Sequence, residues 1–120
     1  MVEDEPRVRE LVTTILDGAG HKVHVAATAE QALDQLDGGL AIDVLLTDVG
    51  LPSQSGIELA VQVTRRLPDV AVVYMSGYAD KPIPPDAKLI AKPFAATDLV
   101  AAIDTATRHA PLRVGARNAP

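Results

Sequence analysis

The sequence predicts an α/β domain, a parallel sheet covered by helices on both faces, and three observations carry that expectation. Two runs, residues 44–48 and 70–75, are too short for ordinary helices and alternate with longer stretches whose apolar residues recur at i, i+3, i+4 and i+7. Both runs are almost continuously apolar, as a strand buried on both faces must be. The chain is 48% hydrophobic but only 2% aromatic, so its core is built from Val, Leu, Ile and Ala, which suits a sheet sandwiched between helices. At 120 residues it holds one such domain and has no room for a second.

Taken in order, the first strand is at most a stub, Met1 and Val2, followed by Glu3, Asp4 and Glu5, with Pro6 at the first helical position. Val8, Leu11, Val12, Ile15, Leu16 and Ala19 then trace one face of a helix that Gly18 and Gly20 end. Residues 21–27 alternate enough for a short strand, with Val23 and Val25 on one face. Thr28 to Gln31 reads as a capping box, and Ala32, Leu33 and Leu36 continue the apolar stripe until Gly38 and Gly39. Val44 to Asp48 is a buried strand that delivers a carboxylate to a loop containing Gly50 and Pro52. A second capping box, Ser55 to Glu58, opens a helix expected to bury Ile57, Ala60, Val61, Thr64 and Leu67. The run from Val70 to Met75 ends at Ser76 and Gly77. Beyond it, Pro82, Pro84 and Pro85 leave no room for more than a turn of helix before a short strand, Lys88 to Ala91. The last helix uses Leu99, Val100, Ile103 and Ala106 and stops before Pro111. Residues 1–110 are therefore expected to form the domain, with 111–120 a loose tail.

Strands and helices in that order, joined by right-handed crossovers, bring the carboxyl ends of the strands to one rim, where ligands of such sheets bind. Glu3 and Asp4 follow the first strand, Asp48 the third, Ser76 the fourth and Lys92 the fifth. Three carboxylates gathered at one rim repel one another unless a cation sits among them. An all-oxygen set of that kind suits Mg²⁺. Alone, each residue has a plainer role: acids favour a helix N-terminus, Asp after a strand forms turns, and Ser76 with Gly77 is an ordinary turn. Their joint placement at successive strand ends favours a site.

Glu3 and Asp4, Asp48 with Pro52 and Gly56 four and eight residues beyond it, Ser76 with Gly77, and Lys92, Pro93 and Phe94 together resemble the receiver domain of bacterial two-component response regulators. The resemblance runs from about Val2 to Arg108. It implies a flavodoxin-like, doubly wound five-stranded parallel sheet of order 2-1-3-4-5, and an aspartate that takes a phosphoryl group from a phosphohistidine on a sensor histidine kinase or a histidine phosphotransfer protein. Carried over, Asp48 is the phosphoacceptor, and Lys92 pairs with phosphoryl oxygens. Ser76 is the switch hydroxyl. Mg²⁺ is held directly by Asp4, Asp48 and the Gly50 carbonyl, and by Glu3 through water. The implied role is a signalling switch, relay or phosphate sink rather than a turnover enzyme; a binding module that works without phosphorylation is the alternative.

The chain departs from the family pattern in three places. The first strand is nearly missing, Leu89 stands where the family often has an aromatic switch residue, and the prolines between Ser76 and Lys92 shorten or remove the fourth helix. Dimerisation through the fourth and fifth helices is therefore not assumed.

The remaining composition narrows the function further. The absence of cysteine excludes disulfides and thiolate metal sites, and a net charge of −5 argues against nucleic-acid binding by this domain. No run approaches 18 apolar residues and no leader opens the chain, so a cytoplasmic domain without a membrane segment is expected. Tyr74 and Tyr78 are assigned to packing and loop. His21, His24 and His109 lack ligand spacing and are expected at the surface.

Overall fold

The structure is a computed structural model that describes residues 1–77 and 87–109. Its elements are α1 (Pro6–Gly18), α2 (Ala29–Asp37), β1 (Val44–Asp48), α3 (Gly56–Arg66), β2 (Ala71–Ser76), β3 (Lys88–Ala91) and α4 (Ala96–His109). The strands form a parallel ladder in the order β1-β2-β3, with Thr47 beside Tyr74 and Tyr74 beside Leu89. Val2 extends this sheet by single parallel bridges to Thr47 on one side and to Ala26 on the other. Across the sheet the chain therefore passes Ala26, Val2, Thr47, Tyr74 and Leu89, which is the order 2-1-3-4-5.

Two of the expected strands are thus reduced to single bridges. The first is a bridge at Val2, whose N–H donates to Leu46 O at 2.8 Å and whose carbonyl accepts from Asp48 N at 3.0 Å. Residues 21–27 do not form the expected strand and keep the one bridge at Ala26. Their bonds to residues 1–3 are Glu3 N to Ala26 O at 3.1 Å, Ala26 N to Met1 O at 2.9 Å and the Met1 ammonium to His24 O at 2.7 Å. Val25, expected to share a buried face with Val23, is 41% exposed, whereas Val23 packs against the core. The outer edge of this segment is covered by side chains: Gln31 Oε1 accepts from Ala27 N at 2.9 Å, and Gln35 Nε2 donates to Val25 O at 2.9 Å. Such cover keeps an open sheet edge from pairing with another chain.

Among the described residues, helices lie on both faces, two to each. On one face, Ala29 and Ala32 of α2 and Leu59, Ala60 and Val63 of α3 pack with Val2, Leu45 and Tyr74. On the other, Val12 and Leu16 of α1 and Leu99, Ile103 and Ala106 of α4 pack with Leu46, Val73, Met75 and Ile90. Successive strand side chains point to opposite faces, so Leu45 and Leu46 serve different helix pairs and the strand must be apolar throughout.

The helix caps follow their residues. Thr28 and Ser55 accept from Gln31 N and Glu58 N, each at 3.1 Å, and Glu5 caps α1 ahead of Pro6. The capping box of α2 is offset, because Gln31 returns its oxygen to Ala27 N rather than to Thr28 N. Gly20 and Gly39 take the left-handed conformation beyond their helices at φ 93° and 106°, where a side chain would be strained.

Two buried stripes differ from the expected ones. α3 buries Gly56, Leu59, Ala60 and Val63, while Val61 is 49% exposed. Leu11 of α1 is likewise exposed. His21 is no free surface residue, because its Nε2 lies 2.8 Å from Asp104 Oδ1 of α4. The proline-rich stretch expected to replace a fourth helix, Tyr78, the side chain of His109 and residues 111–120 lie outside the described residues. Among the described residues, no helix is long and apolar enough to cross a membrane.

Candidate functional site

The rim begins with the strand that delivers Asp48. Leu45, Leu46 and Thr47 are buried, and the backbone at the end of β1 is bonded on both sides, Asp48 N to Val2 O at 3.0 Å and Val49 N to Met75 O at 2.9 Å. With its main chain fixed, the Asp48 side chain, 14% exposed, reaches the rim in one orientation. The loop beyond it folds back through the bridge between Gly50 and Ser55, and Gly56 N donates to Val49 O at 2.7 Å. A methyl group at Gly56 would run into the Asp48 carbonyl oxygen, so this glycine permits the close return of α3 to the strand end. Ser53 Oγ donates to Glu30 of α2 at 2.6 and 2.8 Å, tying the loop to the next helix.

The stub at Val2 places Glu3 and Asp4 beside Asp48. One carboxylate oxygen from each of the three lies within 4.8 Å of the others. Glu3 is only 1% exposed, and its two oxygens are used separately. Oε2 accepts from Glu5 N at 3.0 Å, and Oε1 accepts from Lys92 Nζ at 2.6 Å. Lys92 follows β3, and its backbone N–H donates to Ser76 O at 2.8 Å. Its ammonium also reaches Asp48 Oδ2 at 3.2 Å. Ser76 closes β2 one position beyond Met75, the register partner of Asp48. The peptide between Lys92 and Pro93 is cis.

Burial raises the Glu3 carboxyl above its usual value, against the pull of the Lys92 hydrogen bond and the Glu5 N–H. Burial works against the Lys92 ammonium too, but its hydrogen bond to Glu3 and the charges of Asp48 and Glu3 outweigh it and hold its pKa above the usual lysine value. Among the described residues Lys92 is the cation bonded to these carboxylates, and the three acids it meets carry more negative charge than it can balance. Oxygen ligands with that surplus charge fit a hard divalent cation, and the fit rests on the close approach of the three carboxylates.

The structure brings Glu3, Asp4, Asp48 and Lys92 to one place, with Gly50 in the loop beyond β1 and Ser76 at the end of β2. The sequence did not reveal the bond between Lys92 and Glu3, because the two are 89 positions apart and both looked committed to a ligand. It also passed over Arg9, whose Nη1 donates to Glu3 O at 2.9 Å; a cation one helical turn behind an acidic run was the available signal.

Comparison with known proteins places the chain in a family. Residues 1–104 match the response regulator receiver domain. The chain is 33% identical over 110 residues to the response regulator receiver protein CpdR of Brucella abortus, an alignment that covers 87% of this chain and 91% of CpdR. Among solved structures, a response regulator receiver protein from Sinorhizobium medicae superposes with a TM-score of 0.82 at 26% identity, covering 90% of this chain and 91% of that one. The response regulator TrrA of Thermotoga maritima, solved in complex with Mg²⁺-BeF, gives a TM-score of 0.77 at 25% identity, covering 88% of this chain and 94% of that one.

Proposed function

The chain belongs to the response regulator receiver domain family of two-component signalling, and from that premise we propose that Asp48 accepts a phosphoryl group from a phosphohistidine of a sensor histidine kinase or a histidine phosphotransfer protein. The observation that carries the proposal is the convergence of Lys92 Nζ on Asp48 Oδ2 at 3.2 Å, with the Glu3 and Asp4 carboxylates alongside. In the proposed step an Asp48 oxygen attacks phosphorus, the P–N bond to the donor imidazole breaks, and the imidazole leaves with a proton. Phosphoryl transfer asks mainly for alignment and charge neutralisation. Lys92 neutralises phosphoryl oxygens from one side.

Asp4, Asp48 and the Gly50 carbonyl, with Glu3 through water, are the residues proposed to hold Mg²⁺, which would supply the balancing positive charge. The complex of TrrA with Mg²⁺-BeF supports that reading by analogy. Ser76 at the end of β2 would bond a phosphoryl oxygen, turning the new charge into a shift of its loop and so of the surface a partner meets. The role is that of a signalling switch or relay.

Intact mass after incubation with acetyl phosphate and Mg²⁺ tests the reading. A gain of one phosphoryl group in the wild type, dependent on Mg²⁺ and absent in Asp48→Asn, is expected. A folded wild type that gains nothing would sink the phosphoacceptor and leave a binding module that works without phosphorylation.

A further inference from the structure

We propose that Arg9 is a positioning residue for the acidic pair, holding the main chain of Glu3 and Asp4 so that their carboxylates stand together for a divalent cation. The inference rests on the reading of Glu3, Asp4 and Asp48 as that cation's site. Arg9 Nη1 donates to Glu3 O at 2.9 Å and lies 3.4 Å from Asp4 O. These two carbonyls fall between the stub strand and α1. The ladder ends at Glu3, whose N–H is the last to bond Ala26, and the first helical acceptor is Glu5 O, which takes the Arg9 N–H at 3.0 Å. Glu3 O and Asp4 O therefore belong to neither regular element and are open to a donor from elsewhere, Glu3 O the more so because its contact is partly buried.

A side chain in the first turn of a helix leans toward the N-terminus, and Arg9, half-buried in that turn of α1, supplies the donor. Its reach matters because the described strand pairing beside the acidic pair consists of single bridges at Val2, and the guanidinium bond adds a further hold on the main chain beyond them.

Charge and positioning act in opposite directions on this site. A guanidinium bonded to the backbone of Glu3 and Asp4 repels an arriving divalent cation, so if charge alone counted, its removal would tighten binding. If Arg9 positions the pair, its removal loosens binding. Partners behind metal ligands typically change affinity by about 10- to 100-fold.

The test is Mg²⁺ titration of the full chain by calorimetry, with wild type, Arg9→Ala, Arg9→Lys and Asp4→Ala compared. Arg9→Ala is expected to weaken Mg²⁺ by about tenfold, with Arg9→Lys recovering part of the loss. In phosphorylation by acetyl phosphate, Arg9→Ala should need more Mg²⁺ for half-saturation yet reach the wild-type maximal rate, a split that a general loss of stability would not produce. If Arg9→Ala does not melt cooperatively, Arg9→Met, which keeps the apolar stem, takes its place with the same expectation. Mg²⁺ affinity equal to or tighter than wild type in the variant overturns the proposal. A wild type that binds no Mg²⁺, or an Asp4→Ala variant that binds it as well as wild type does, instead overturns the cation site itself and the role of Arg9 with it.

Discussion

In the proposed state with a phosphoryl group and a divalent cation bound, Lys92 would give up the two partners it has here. Its ammonium is bonded to Glu3 at 2.6 Å and to Asp48 at 3.2 Å, so it neutralises the very oxygens that a cation would use. Lys92→Ala should therefore slow phosphorylation from acetyl phosphate while leaving Mg²⁺ affinity unchanged or tighter, because a competing positive charge is gone. Asp4→Ala, which removes a ligand and no cation, should weaken Mg²⁺ by about tenfold or more. Calorimetric titration of both variants decides the matter: weaker Mg²⁺ binding in Lys92→Ala, or unchanged binding in Asp4→Ala, contradicts these roles. The same substitution leaves Glu3, 1% exposed, without its cation, so Lys92→Ala should also melt below wild type. At this scale the sequence was legible in kind and silent in pairing. It marked Glu3, Asp4, Asp48 and Lys92 through their places at strand ends, but a bond across 89 positions such as that between Lys92 and Glu3 is set by the closure of the sheet and has no local signature.

Among the elements, those whose identity rests on local signals match the sequence most closely. Val44–Asp48 and Lys88–Ala91 begin and end where the residues predict, because an apolar run bounded by polar, Gly or Pro residues fixes a strand locally. Residues 21–27, expected as a strand, keep only the bridge between Ala26 and Val2, a pairing that depends on a distant segment and has no local signal. The stripe of α3 was right at Ala60, Ile57 and Leu67, which join the core, and wrong at Val61 and Thr64, which are exposed. Ile57, Ala60, Val61 and Thr64 satisfy helical spacing as well as Gly56, Leu59, Ala60 and Val63 do, and only the close seat of Gly56 on the Asp48 carbonyl selects the second set. That choice is measurable. Leu59, fully buried against Val2, Leu45 and Tyr74, should cost about 2 to 5 kcal/mol when replaced by Ala. Val61→Ala, at a position 49% exposed, should stay within about 0.5 kcal/mol of wild type. Urea unfolding of the two variants reads both values, and a large loss for Val61→Ala with a small one for Leu59→Ala would restore the other face.

For the molecule as a whole, the floor of the sheet is open at the end opposite the functional rim. A cavity of about 280 Å³ lies there, lined by Met1, Leu16, Val23, His24, Val44 and Ile103 among others, and the Met1 ammonium donates to His24 O at 2.7 Å. Desolvation by burial lowers that amine from 8.0 to about 6. A cation whose folded pKa is depressed binds fewer protons in the folded state than in the unfolded state between those two values, so stability rises with pH across that window. Below pH 6 the full penalty of a buried charge applies, and above pH 8 none remains. The two pKa values bound the effect at up to about 3 kcal/mol. Acetylating the N-terminus of the 120-residue chain isolates this amine from every other group that titrates in the same range. The acetylated amide still has an N–H to give His24 O but carries no charge, and the cavity has room for the acetyl group. Thermal melts of both forms at pH 5.5 and pH 8.5 should show acetylation raising the midpoint at the lower pH and changing it little at the higher one. An equal effect at both would mean that the amine is solvated, and that the open floor admits water freely enough to cancel the burial of its charge.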